Sequence, residues 1–118
     1  MKKLFLESKE FTRWLHEHLD DVSFAAFQFH LMSNPDLGAV IPGCGGLRKV
    51  RLAEAKRRRG KRGGSRVIYL HIPEANWIFL LAGYSKGEKD DLSVAQKRTL
   101  RRLAAVLKRE ALASVSGR

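Results

Sequence analysis

The residues best equipped for chemistry in this chain are lysines, arginines and a tyrosine, not histidines or cysteines. Arg48, Lys49 and Arg51 lie close together, Arg66 follows after a dense basic run, and Tyr84, Lys86 and Lys89 come next. Such a set suits a phosphodiester. Guanidinium groups grip phosphate oxygens in a bidentate fork, and clustered cations lower the pKa of a neighbouring lysine or tyrosine. Breaking an RNA chain requires taking the proton of the 2′-hydroxyl, stabilising the charged phosphorane and protonating the 5′-oxygen, and these side chains can supply all three without a metal. They fit simple phosphate binding equally well, so residue type alone leaves the chemistry open.

Other chemistries lack their residues. His16, His18, His30 and His71 are scattered, and neither a His-Glu-x-x-His motif nor a Cys/His cluster offers metal-ligand spacing. Cys44, the single cysteine, has no histidine near it in sequence and reads as a structural thiol. It also excludes an intramolecular disulfide framework and points to a reducing, cytoplasmic setting. Gly43, Gly45 and Gly46 make a turn but lack the Gly-Lys-Ser/Thr ending of a phosphate-binding loop. Glu7, Lys9 and Glu10 interrupt the opening apolar stretch, and no later run has the roughly 20 apolar residues that a membrane helix needs.

The charge is strongly localised. The 118 residues carry a net +11, of which residues 47–66 hold +9, with Glu54 the only acid among ten basic residues. So dense a run repels itself, and its middle, from Lys56 through Arg57, Arg58, Arg59, Lys61 and Arg62 to Gly64, is expected to be a loop. Its chemistry fits a polyanion such as nucleic acid.

The flanks of that run read as strands. Residues 47–52 mix apolar and basic types, and residues 66–72 are rich in β-formers, bounded by Gly63-Gly64 and Pro73, which makes the basic loop a hairpin connection. Trp77 to Leu81 is a third strand, expected to be central, and Lys3 to Glu7 a fourth. Ser8 is a plausible N-cap for a helix to about Leu19. A second helix runs from roughly Val22 to Ser33, stopped by Asn34-Pro35, and pairs with the first as a helical hairpin. Ser93 and Gln96 form a capping box for a C-terminal helix whose apolar stripe is Leu100, Leu103, Leu107 and Ala111. The size is that of one domain.

Three blocks together resemble a known family: Gly45-Gly46-Leu47-Arg48-Lys49-Val50-Arg51, Gly60-Lys61-Arg62-Gly63-Gly64-Ser65-Arg66-Val67-Ile68-Tyr69, and Tyr84-Ser85-Lys86-Gly87-Glu88-Lys89-Asp90-Asp91-Leu92-Ser93. With the upstream segment 34–43 they are similar to the RelE/ParE superfamily toxins of type II toxin–antitoxin modules, and to the HigB-type branch in particular. The resemblance covers nearly the whole chain. It implies one α+β domain over residues 1–118, with an antiparallel sheet of about four strands, an N-terminal helical hairpin and a C-terminal helix. It further implies a metal-independent endoribonuclease, needing no cofactor, that cuts messenger RNA in the ribosomal A site and is neutralised by a helix-turn-helix, HigA-type antitoxin. Operator DNA would be reached only through that antitoxin.

Carried over residue by residue, Arg66 matches the arginine on the scissile phosphate, and Arg48 and Arg51 match the strand that grips backbone phosphates. Lys86 takes the place of a basic residue that assists the phosphorane or leaving group. Tyr84 is the nearest phenol, because Leu92 stands where RelE has a tyrosine. The expected RNA contacts are Arg48, Lys49, Arg51, Lys56, Arg57, Arg58, Arg59, Lys61, Arg62 and Lys89. Two alternatives share the sequence features: a ParE-like gyrase inhibitor, and a ribosome- or RNA-binding module without catalysis.

Overall fold

In a computed structural model, residues 3–52, 64–85 and 92–116 are described. Eight of the expected site residues, Lys56, Arg57, Arg58, Arg59, Lys61, Arg62, Lys86 and Lys89, lie outside them.

The first strand, β1 (Leu4–Glu7), runs into helix α1 (Lys9–His18), and Ser8 caps that helix by accepting the Phe11 N–H at 2.9 Å. Asp20 caps α2 (Asp21–Ser33) in the same way through the Ser23 N–H. The residue before a proline is biased away from the helical region, and α2 ends at Ser33, just ahead of Asn34-Pro35. The two helices approach through the rings of Phe11 and Phe24, whose centroids are 6.1 Å apart. The chain continues through β2 (Ala39–Val40), β3 (Arg48–Leu52), β4 (Ser65–Ile72), a 3₁₀ turn at Pro73–Ala75 and β5 (Trp77–Ser85). Asn76 closes that turn in the left-handed region, at φ 57°. Helix α3 (Val94–Ser116) completes the chain, with the reciprocal capping box of Ser93 and Gln96 formed at 2.8 and 3.0 Å.

The sheet has five strands in the order β1-β5-β4-β3-β2 and is mixed. This corrects the expected antiparallel sheet of about four strands in two respects. β1 pairs with β5 in parallel, and the two-residue β2 adds an edge beside β3. The β1–β5 pairing joins segments far apart in the chain and so has no local sequence signature, and the two residues of β2 are too few to show a strand's alternation. β5 lies between β1 and β4, the central place expected for its apolar run.

Alternation sorts the core into two layers. Val50, Val67, Tyr69, Ile78 and Leu80 face α1 and α2, meeting Phe11, Trp14, Phe27 and Leu31. Ile68, Leu70, Ile72 and Leu81 face the other way, meeting Ala104, Leu107 and Ala111 of α3. A loop folds over that second layer, burying Ile41, Cys44 and Leu47. Among the described residues no helix is long and apolar enough to cross a membrane.

One irregularity decides which side chains reach the second layer. Tyr69 pairs with Leu80 whereas Ile68 pairs with Ala82, so Leu81 is an extra residue in β5. This β-bulge puts both Leu81 and Ala82 on the α3 side and reverses the alternation beyond them. The Ser8 hydroxyl donates to the Leu81 carbonyl at 2.6 Å, so the residue that caps α1 also holds the bulge. Gly83 then turns to the α1 side, where a Cβ would collide with the indole of Trp14.

Candidate phosphate-binding site

Strand register brings three of the expected residues into one row. Arg51 of β3 stands opposite Arg66 of β4, and Arg66 stands opposite Tyr84 of β5. Val50 and Leu52 pack on the α1/α2 layer, so Arg51 between them projects to the α3 side. Arg66 shares that side with Ile68 and Leu70, and Tyr84 packs directly against that layer. Lys49, opposite Ile68, lies on the same face. With neighbouring strands about 4.8 Å apart, the row is about 10 Å long. Two cationic residues directly opposite each other oppose pairing of their strands. Two guanidinium groups so placed are chemically suited to share one oxyanion.

Clefts flank this row. Tyr84 lines one of about 440 Å³ that opens between the start of α3 and β5. Lys49 and Lys97 line a second, of about 260 Å³, beside β2, and Leu92 borders both. The hydroxyl oxygen of Tyr84 is shielded from solvent.

Arg48 is not part of this row. It projects to the α1/α2 side, where its Nη1 donates to the carbonyls of Gly38 at 2.7 Å and Asp36 at 3.2 Å, and its Nε lies 3.5 Å from the Asp36 carboxylate. Beside it the fully buried Tyr69 donates its hydroxyl to the Pro35 carbonyl at 2.8 Å and accepts the Gly38 N–H at 2.9 Å. Burial pushes the Tyr69 phenol pKa up, and the Gly38 bond and the Arg48 cation pull against it, while Asp36 adds to the rise. His71 extends the network: its Nε2 accepts from Lys3 Nζ at 2.9 Å, which leaves Nδ1 to donate to Asp36 at 3.3 Å. These contacts tie the segment that leads into β2 down onto the sheet.

Sequence reasoning missed Asp36, Tyr69 and His71 as a group, because residues about 35 positions apart in the chain meet only through the fold. Cys44 is buried with its Sγ 4.0 Å from the Lys97 carbonyl, a packing position consistent with a structural thiol.

Residues 2–116 match the family model for the "RelE toxin of RelE / RelB toxin-antitoxin system". The chain belongs to the RelE toxin family. The fold of this RelE-family toxin is also similar to that of a mutant E. coli toxin RelE solved in the free state. The TM-score is 0.54 at 14% sequence identity, over 76% of this chain and 90% of that one. As a RelE-family toxin it is one half of a toxin–antitoxin pair, so an antitoxin is its implied partner.

Proposed function

We propose that this RelE-family toxin is a ribosome-dependent endoribonuclease that stops translation by cutting messenger RNA in the A site. The observation that carries the reading is the Arg51–Arg66–Tyr84 row, two guanidinium-bearing residues and a phenol in register on one sheet face. The 2′-oxygen attacks the adjacent phosphorus, the phosphorane collapses, and the 5′-oxygen leaves, giving a 2′,3′-cyclic phosphate and a 5′-hydroxyl. Arg66 and Arg51 neutralise the charge that grows on the non-bridging oxygens, a role for which preorganised cations suffice without a metal or cofactor. Tyr84 and Lys86, two residues further on, are the proton-transfer pair. Lys49, the basic run from Lys56 to Arg62, and Lys89 dock the toxin on ribosomal and messenger RNA, adding salt-dependent affinity. Arg48 acts at one remove, by holding the chain that precedes β2.

In this reading the toxin is of the HigB type, acts in the cytoplasm and is silenced by a helix-turn-helix antitoxin, through which alone it reaches operator DNA. The test is to incubate purified toxin with translating ribosomes and map the RNA ends. Codon-phased cuts with 5′-hydroxyl ends are expected. Gyrase-dependent DNA breaks with intact messenger RNA, or RNA binding without cleavage, would overturn the proposal.

A further inference from the structure

Helix α3 carries a charge pattern that the phosphate row does not use. Over Val94–Ser116 it holds six cations, Lys97, Arg98, Arg101, Arg102, Lys108 and Arg109, against one acid, Glu110. Helix faces that merely meet water intersperse both signs, because like charges four residues apart, as Lys97/Arg101 and Arg98/Arg102 are here, weaken a helix. Among the described residues no carboxylate pairs with any of the six. Five are exposed, and Lys97 is half-buried where it lines the cleft beside β2 together with Lys49. By the helical repeat, Arg98, Arg102 and Arg109 form one ridge on the side away from the buried Ala104, Leu107 and Ala111. Lys97, Arg101 and Lys108 form the ridge beside it, and Arg101 and Lys108 border Gly45 and Gly46 of the loop that covers the second core layer. At 1.5 Å per residue the two ridges run about 18 Å along the axis. The basic surface therefore continues from Arg66 and Arg51 through Lys49 to Lys97 and out along α3.

A polyanion is the partner that such a face complements. Which polyanion follows from what the face lacks. Proteins that hold unpaired strands stack the bases on aromatic rings, and α3 has no aromatic residue. Cations fixed along a rigid helix, with no ring for a base to stack on, suit phosphates held in a regular array. Double-stranded RNA, recognised through its shape and backbone, presents one. We infer that the outer face of α3 docks on the phosphate backbone of an A-form RNA duplex, separate from the strand that is cut. Arg98, Arg102 and Arg109 make the contacts, and Lys97 and Arg101 join them to the sheet row. The inference rests on the nuclease reading only for where the duplex is met, in the folded RNA of the ribosome.

The test compares the purified toxin's binding to a blunt RNA duplex and to an oligouridine of equal charge, by fluorescence anisotropy over a salt series. An Arg98→Gln/Arg102→Gln/Arg109→Gln variant is expected to lose about tenfold or more in duplex affinity. Its slope of log K against log salt should flatten by about 2–3, roughly one for each phosphate contact removed. Oligouridine binding should change little. The corresponding Arg→Lys variant keeps the three charges and should restore the duplex affinity, since a phosphate also accepts a point charge. On translating ribosomes the glutamine variant should need about tenfold more ribosomes for half-maximal cleavage, with the rate at saturation unchanged. Unchanged duplex affinity and salt slope, equal losses for both RNAs, or a loss that the lysine variant fails to restore would overturn the inference. So would lost capture of the antitoxin with duplex binding intact, which would give this face to a protein instead. If the wild type cuts no messenger RNA while the glutamine variant still loses the duplex, the nuclease reading fails and the docking surface stands.

Discussion

Arg48 and Arg51, three residues apart on one strand, serve opposite faces of the sheet. Arg51 stands opposite Arg66 on the α3 side, whereas Arg48 donates to the Gly38 carbonyl at 2.7 Å on the α1/α2 side. Their replacements should therefore fail in different ways. Arg66→Ala is expected to lower ribosome-dependent cleavage by about 10²–10³-fold, the scale of losing one charge-stabilising donor. Arg51→Ala should show the same pattern more weakly. Arg48→Ala should instead lose about 1–3 kcal/mol of stability in urea unfolding, as carbonyls gripped by a cation lose their donor. A wild-type cleavage rate for Arg66→Ala would remove that residue from the chemistry.

Tyr69 sets an alkaline limit on the fold. Its phenol loses its proton at about 10.0 in the unfolded chain but at a higher pH in the folded one, chiefly because it is buried. Above that pH the unfolded state therefore binds fewer protons than the folded state, so stability contributed by the neutral phenol is complete below pH 10 and is lost as pH rises through the folded value. Unfolding free energy measured against pH should fall on that limb, and Tyr69→Phe should flatten it. The same variant should cost about 1–3 kcal/mol at neutral pH, since the buried Gly38 N–H loses its acceptor.

Ser8 does two jobs with one hydroxyl: it accepts from the Phe11 N–H at the start of α1 and donates to Leu81 in the bulge. Ser8→Ala should therefore exceed an ordinary cap deletion of about 1 kcal/mol and approach about 2 kcal/mol. Ser8→Asp should recover the cap but not the donor to Leu81. Guanidinium unfolding of the two variants separates the contributions.

At Gly83 a methyl group would meet the Trp14 indole, which is buried between α1 and β5. Gly83→Ala should destabilise by about 1–3 kcal/mol or more through overpacking, with a shift in Trp fluorescence. Truncating the ring as well, in a Trp14→Phe/Gly83→Ala double variant, should recover part of the loss.

What could be read from the sequence was local. The Ser8 cap, the stop at Asn34-Pro35 and the Ser93/Gln96 capping box each rest on a few adjacent residues, and each is present. The basic and phenolic residues of the site were visible by type, but which of them share a face was not, because that follows from register. Arg48 and Arg51 look interchangeable in a string, and only the pairing of Arg48 with Tyr69 and of Arg51 with Arg66 separates the clamp on the chain before β2 from the arginine on the α3 side. The parallel docking of β1 and the bulge at Leu81 depend on partners in other strands, and the two-residue β2 is too short to show any alternation of its own.

That bulge couples the start of α1 to the pairing of β5. Leu81 is the extra residue, so deleting it would restore one-to-one pairing of β5 with β4 and leave Ala82 opposite Ile68 and Tyr84 opposite Arg66. The row of Arg51, Arg66 and Tyr84 therefore tolerates the loss of this one position, and the change would be felt at the start of α1, where the Ser8 hydroxyl would lose the carbonyl it donates to.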